Sequence, residues 1–189
     1  MEWVTPITDI SQLTQGSIVD GIDWECETDN PVSIVLSNAC DIEHNHASFI
    51  IVAAMYPASH IIACSREYRG LISGSYNEST RKQQDRVKDK LSEYVHHKTI
   101  NRYYFIDCRQ CKIGMCMMVD FQKIKSVPIN TTSSLALIAN LNTPLKEQMI
   151  MQFVSYTSRI PTDRVDRNDE EQIISSLITE IQEIESENQ

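Results

Sequence analysis

The stretch Pro31 to Pro57, PVSIVLSNACDIEHNHASFIIVAAMYP, constrains this chain more than any other. It opens with an apolar run, Val32 to Leu36, and closes with a second, Phe49 to Met55. Both runs are of strand length and rich in β-branched residues, with a polar connection between them, so they predict two paired central strands. The connection holds Cys40, Asp41, Glu43, His44 and His46, and a loop is where a β scaffold presents chemistry.

Around this pair the spacing predicts further short strands at Gly16–Asp20, Tyr103–Ile106, Met115–Phe121 and Ile124–Ile129. Ile7, Ile10 and Leu13 are spaced for a short helix or turn, and residues 58–76 show no clear period. From Glu78 to His97 the chain changes character. Val87, Leu91, Tyr94 and Val95 fall at i, i+4, i+7 and i+8, one narrow apolar stripe on an otherwise charged helix. Ser79 or Asn77 is placed to cap it. His96 and His97 at its far end read as solvated side chains favoured by the negative end of the dipole. Five or six short strands interrupted by one helix predict an α+β fold built on a small barrel or sandwich. Residues 1–139 are read as the β-barrel domain, with the helical insertion at about 78–97, and 140–189 as a C-terminal helical segment.

That segment predicts two helices. Thr143-Pro144 supplies an N-cap and a proline at the first helical position, and Leu145, Met149, Ile150, Phe153, Val154 and Thr157 make one face. Asn168 caps the second helix, with Glu171 three residues on as in a capping box. Ile173, Ile174, Leu177, Ile178, Ile181 and Ile184 then recur at helical spacing. Buried, each would contribute roughly 1.5–3 kcal/mol before entropy is subtracted, so this stripe calls for a surface, on its own barrel or on another protein. From Asp166 to Gln189 there are eight acidic residues and one basic, a local charge of −7 out of −9 for all 189 residues.

The remaining charge is nearly balanced, so the chain lacks the basic field that direct nucleic-acid binding needs. No apolar run approaches the roughly 20 residues of a membrane span. The start, MEWVTPITDI, has neither a basic head nor an apolar signal core. A cytoplasmic protein is expected, with its six cysteines as thiols or ligands rather than bridges.

Two constellations could carry chemistry. Cys108-Arg-Gln-Cys111 is a CxxC pair, and Cys40 or His44 (with His46, His96 and His97 as further donors) would complete a tetrahedral zinc site. The competing reading makes Cys108, Cys111 and Cys116 small apolar fillers along strands. Cys40 could instead act as a nucleophile, with His44 or His46 as base and Asp41 or Glu43 orienting it; against this, neighbouring residues at a strand end often point apart. No glycine-rich phosphate loop, HExxH or GxSxG is present. Arg102, Tyr103 and Tyr104 are explained as well by a strand in a core as by stacking on a base.

Gly16-Ser-Ile-Val19, Pro31-Val-Ser-Ile-Val-Leu-Ser-Asn38, Ile50-Ile-Val-Ala-Ala54 and Val119-Asp-Phe-Gln-Lys-Ile-Lys-Ser-Val127 resemble, in order, strands of the MazF/PemK-like toxin family. That resemblance, over about a third of the chain, implies an SH3-like barrel of the kind whose members cut RNA or bind DNA gyrase. The ribonucleases of that family carry an arginine before the second strand and a threonine or serine after the third. Asn30-Pro31 and Met55-Tyr56-Pro57 stand there instead, so no catalytic residue is carried over.

Leu36-Ser-Asn-Ala-Cys-Asp-Ile42, Val119-Asp-Phe121, Ala139 to Glu147 and Arg159-Ile-Pro161 are similar to an uncharacterised bacterial small-protein family with a Ser-x-x-Cys-Asp-Ile signature. This likeness implies membership of multi-gene conflict or phage-defence cassettes, beside an ATPase or effector of the same operon. Taken together, the expectation is a non-enzymatic protein-binding or adaptor component whose partner grips residues 168–187. The alternatives are a nuclease or hydrolase-like effector using Cys40–His46, or a zinc-stabilised binding module.

Overall fold

The computed structural model describes residues 2–25, 30–44, 47–72, 76–98 and 102–158. The chain divides into two compact units, Met1–Thr157 and Ser158–Gln189. The second helix expected at the C-terminus, with Ile173, Ile174, Leu177, Ile178, Ile181 and Ile184, lies outside the described residues.

The first unit is α+β. Its strands are β1 (Val4–Pro6), β2 (Ser17–Asp20), β3 (Ser33–Val35), β4 (Phe49–Pro57), β5 (Tyr103–Asp107), β6 (Cys116–Pro128) and β7 (Ala136–Leu141). They form one sheet in the order β1-β7-β2-β3-β4-β6-β5, antiparallel at every step and curled into a half-barrel. The expected central pair is present: Val35 lies opposite Val52 and Ser33 opposite Ala54. β7 runs across the expected domain boundary at 139, and it brings the N-terminal β1 into the sheet through Val4 opposite Leu141.

Each face of the sheet buries an apolar cluster, and the side chains alternate accordingly. Ile18, Ile34, Ala53 and Met55 join one apolar cluster, while Val19, Val35, Val52 and Ala54 join another. Two irregularities make this possible. Between Ile18 and Val19 the register on β7 steps from Ala139 to Leu137, which leaves Ile138 as an extra residue. Between Ala53 and Ala54 the register on β6 steps from Ile124 to Asp120, which leaves Phe121, Gln122 and Lys123 over. An odd number of extra residues swaps the faces. Met117, Val119 and Phe121 therefore serve the first cluster and Val127 the second. The two strands expected at 115–121 and 124–129 are thus one strand, interrupted where Gln122 and Lys123 break the apolar pattern.

Asp120 anchors that interruption. It is 2% exposed, accepts the Gln122 amide at 3.0 Å, and receives a forked pair of hydrogen bonds from the Arg102 guanidinium, with Nε at 2.6 Å. The same guanidinium lies 4.9 Å from the centre of the Tyr103 ring. Arg102 and Tyr103 are therefore engaged by the sheet itself.

Among the described residues five α-helices accompany the strands: α1 (Ala39–Glu43), α2 (Ala58–Cys64), α3 (Arg66–Leu71), α4 (Arg81–Val95) and α5 (Leu145–Thr157). The insertion expected at 78–97 is α4, preceded by α2 and α3 in the stretch without a period. Its cap is Thr80 rather than Ser79 or Asn77, in a reciprocal capping box with Gln83. Val87 is buried while Val95 is 38% exposed, so the stripe is used only in part. α5 starts at Leu145, one residue later than expected, and Thr143 donates its hydroxyl to Glu147 at 3.1 Å. It buries Leu145, Met149 and Gln152, and leaves Val154 exposed. Gln152 donates to the Tyr103 carbonyl at 3.0 Å, and the fully buried Tyr104 donates its hydroxyl to the Leu145 carbonyl at 2.9 Å. These two bonds tie β5 to α5. At the start of β2, Gly16 takes φ +82°, and an added Cβ would come within 3.0 Å of the Lys146 side chain. Only glycine meets both conditions without strain.

Candidate binding groove

At one end of the sheet all seven strands begin or stop together. β1 stops at Pro6, β2 at Asp20, β4 at Pro57 and β5 at Asp107; β3, β6 and β7 begin at Ser33, Cys116 and Ala136. Proline has no amide hydrogen for a ladder, so Pro6, Pro31 and Pro57 suit the points where pairing ceases. The strand ends enclose a groove of about 1030 Å³, in the range of cavities that hold ligands or peptide side chains. Its apolar lining includes Val32, Met55, Met117, Leu137 and Ile138, with Met115 on the rim 46% exposed. The polar groups on it are Thr8, Asp20, Asn30, Tyr56, His60 and Lys112.

The charged groups are segregated. Asp20 ends β2, and its carboxylate accepts the Gly21 amide at 2.7 Å. His60 is on α2, directly after β4, and Lys112 is on the β5–β6 connection. Two strand steps separate β2 from β4 in the sheet order, on the order of 10 Å. Among the described residues, neither His60 nor Lys112 enters an ion pair.

The backbone holds Lys112 in place. Cys111 donates its amide to the Cys108 carbonyl at 3.2 Å, and Gly114 donates to the Cys111 carbonyl at 3.0 Å. Lys112 and Ile113 are thus the middle residues of a tight turn that Gly114 closes at φ +71°. At its base Asp107 accepts from Arg109 Nε at 2.9 Å and Nη2 at 2.7 Å. Those hydrogen bonds from Arg109 hold the Asp107 carboxyl below the usual carboxylate range.

The residues singled out from the sequence are placed elsewhere. Cys40, Asp41 and His44 belong to α1 and its C-cap, a short helix where a loop was expected. Asn38 caps it by accepting the Cys40 amide at 3.2 Å, Ile42 turns into the core, and Cys40, Asp41 and His44 are exposed. Cys40 and His44 stand one turn apart, on one side of that helix. His46 lies outside the described residues. Cys108 is fully buried in the first apolar cluster, where burial pushes its thiol far up. Cys111 directs its sulfur to the Cys108 carbonyl at 3.2 Å. Among the described residues no three His, Cys, Asp or Glu side chains are grouped to hold a metal ion. Cys40 and His44 therefore do not join Cys108 and Cys111 in one metal-holding group.

The pair His96–His97 divides. His96 is the exposed C-cap of α4, as the sequence suggests. His97 corrects the expectation of a solvated ring: it stacks on Tyr104, with centroids 4.0 Å apart and planes 7° from parallel, and meets Trp3 at 5.8 Å. Its Nε2 is shielded from solvent and has no hydrogen-bond partner among the described residues. Burial, helped by the neighbouring His96, lowers the His97 pKa from 6.5 to about 4.

Comparison with protein-family models finds no match, and neither do comparisons with curated proteins and with solved structures.

Proposed function

We propose that this chain is a non-enzymatic protein-binding component, an adaptor or accessory, and that its binding surface includes the groove at the end of the sheet. The observation that carries this reading is the groove itself: a largely apolar lining with a few polar groups, built on β1, β2, β4, β6 and β7 and the residues leading into β3, all in one sheet. A surface assembled from the frame of the fold is preformed, so a partner's segment binds it with little ordering cost. Three methionines, Met55, Met115 and Met117, line it, and thioether side chains adapt to apolar residues of varied shape. The acidic stretch with Ile173, Ile174, Leu177, Ile178, Ile181 and Ile184 is proposed as a second contact, in the helix-in-groove manner.

The finer assignments are part of the same proposal. An SH3-like, MazF/PemK-like barrel is supported by the four stretches that carry the resemblance, which fall on β2, β3, β4 and β6, consecutive neighbours in the sheet. Membership of a bacterial conflict or phage-defence system, in the cytoplasm and beside an ATPase or effector, rests on the sequence likeness alone. Among the described residues no helix is long and apolar enough to cross a membrane.

A photo-crosslinking residue at Met115, in the cell of origin, should capture one partner protein in stoichiometric amount, while the same residue at Lys88 on α4 should not. Equal capture at both positions refutes the groove as the binding surface. A second reading, an effector using Cys40, is favoured by the exposure of that thiol one turn from His44. Full biological activity of Cys40→Ala and His44→Ala ends it.

A further inference from the structure

We infer that the groove accepts a short apolar segment of a partner protein carrying an acidic side chain, whose carboxylate sits at the wall made by Lys112 and His60. The inference rests on the groove being the protein-binding surface and adds to it the chemistry of the occupant.

Three observations carry it. First, charge in the lining is one-sided. The only carboxylate among the described lining residues, Asp20, is on the β2 side and already accepts the Gly21 amide. On the other side the Arg109 guanidinium is committed to Asp107 through both Nε and Nη2. Lys112 is thus the cation left over at that wall, with the His60 ring as a second group able to bind an oxygen.

Second, Lys112 is held by the backbone rather than carried on a free loop. It occupies the Cys111–Gly114 turn, whose base the Asp107–Arg109 pair fixes. Its Cα is therefore placed in the free protein, and only the side chain has to be ordered on binding.

Third, the rest of the surface decides against a neutral occupant. Apolar segments that cover Val32, Ile113, Met115 and Ile138 strip water from the groove around the ammonium. A segment without a carboxylate leaves that ammonium partly desolvated and unpaired, whereas one with a carboxylate supplies the missing charge. A basic segment meets like charge at the same place.

The test begins with a random library of short peptides, selected on the immobilised full chain. Each enriched peptide is then measured by fluorescence anisotropy beside a twin in which its acidic residue is the corresponding amide, and another in which it is lysine. We expect enriched sequences that pair apolar residues with an aspartate or glutamate, binding about tenfold more tightly than their amide twins. Lys112→Gln should erase that difference and leave the affinity of the amide twin nearly unchanged. Lys112→Glu should favour the lysine twin.

Lys112 is exposed, so these variants keep the fold, as circular dichroism can verify. Ala136→Trp, at an exposed position on the groove, plugs it without touching the core. Loss of binding in Ala136→Trp with acid and amide twins bound equally by the native chain overturns the carboxylate preference and leaves the groove standing. Peptide binding that survives Ala136→Trp, or an absence of any bound peptide, overturns the groove and this inference with it. An acid preference that persists in a Lys112→Gln, His60→Gln double variant also refutes the assignment.

Discussion

Acid should destabilise this protein through His97, over a pH range that follows from the fold. The ring lies flat on Tyr104 and against Trp3, with Nε2 dry, so protonation has to place a charge where neither water nor an acceptor receives it. The folded value is about 4 against 6.5. Above pH 6.5 the ring is neutral in both states and contributes nothing to pH dependence. Between 6.5 and 4 the unfolded chain takes up a proton that the folded chain refuses, so stability falls as pH falls. Below about 4 both states are protonated and this contribution levels off. Each pH unit of separation is worth about 1.4 kcal/mol, which would give about 3 kcal/mol for a wholly dry ring. Only part of this ring is shielded, so about 1–2 kcal/mol is expected.

The assay is urea unfolding followed by tryptophan fluorescence at intervals from pH 7.5 to 3.5, on the native chain and on His97→Phe. The substituted ring keeps the stack and cannot titrate. Because His97 has φ +49°, the substitution carries a backbone cost, but that cost is the same at every pH and drops out of the slope. The native curve should fall more steeply than the variant's by about 1–2 kcal/mol between pH 6.5 and 4. Parallel curves would mean that His97 is protonated in the folded state, and the stacked, dry placement of the ring would be refuted.

Four further outcomes are expected. Tyr104→Phe removes the hydroxyl from the Leu145 carbonyl and should cost about 1–2 kcal/mol in the same unfolding assay; no change would mean that the bond holds nothing in place. Asp120→Ala leaves the Gln122 amide without its carboxylate and releases Arg102, and should cost about 2–4 kcal/mol; an unchanged midpoint would refute the anchor. Gly16→Ala should cost about 1–3 kcal/mol, from positive φ and the close approach of Lys146, and an unshifted thermal midpoint would sink that reading. Purified chain should carry no stoichiometric zinc, because the Cys108 thiol is committed to the core; one zinc per chain by elemental analysis would reverse this.

The sequence made some of the fold legible and hid other parts for local reasons. Val32–Leu36 and Phe49–Met55 are long, β-branched and bounded by polar residues, and their pairing follows directly. β1 has three residues, too few for any period to show. β7 carries an extra residue at Ile138, so Leu137 joins one cluster while Ala139 and Leu141 join the other, and no single alternation runs through the strand. Cys40, Asp41 and His44 stand out because they are adjacent in sequence, whereas the groove draws on residues from Pro6 to Ile138 that share no local motif. Its one contiguous signal is a proline at strand ends. The burial of His97 is hidden for the same reason: nothing near it in sequence announces Trp3, which stands on the far N-terminal side of the chain.

The irregularity in β6 connects these parts. A strand of 13 residues without a bulge would present one set of side chains to one face throughout. Before the extra residues Phe121–Lys123, β6 is flanked by β4 and β5 and sends Met117 and Val119 into the cluster shared with α5. After them, β6 pairs with β4 alone and sends Val127 into the opposite cluster. The face given up carries Phe49, Ile51 and Ile124, all exposed, at the end of the ribbon away from the groove. The first half of β6, which ends at the groove with Met117, is therefore clamped on both edges and covered by a helix. A surface mounted on that half is held by pairing on both edges and by packing against α5, which is the physical ground for treating the groove as preformed.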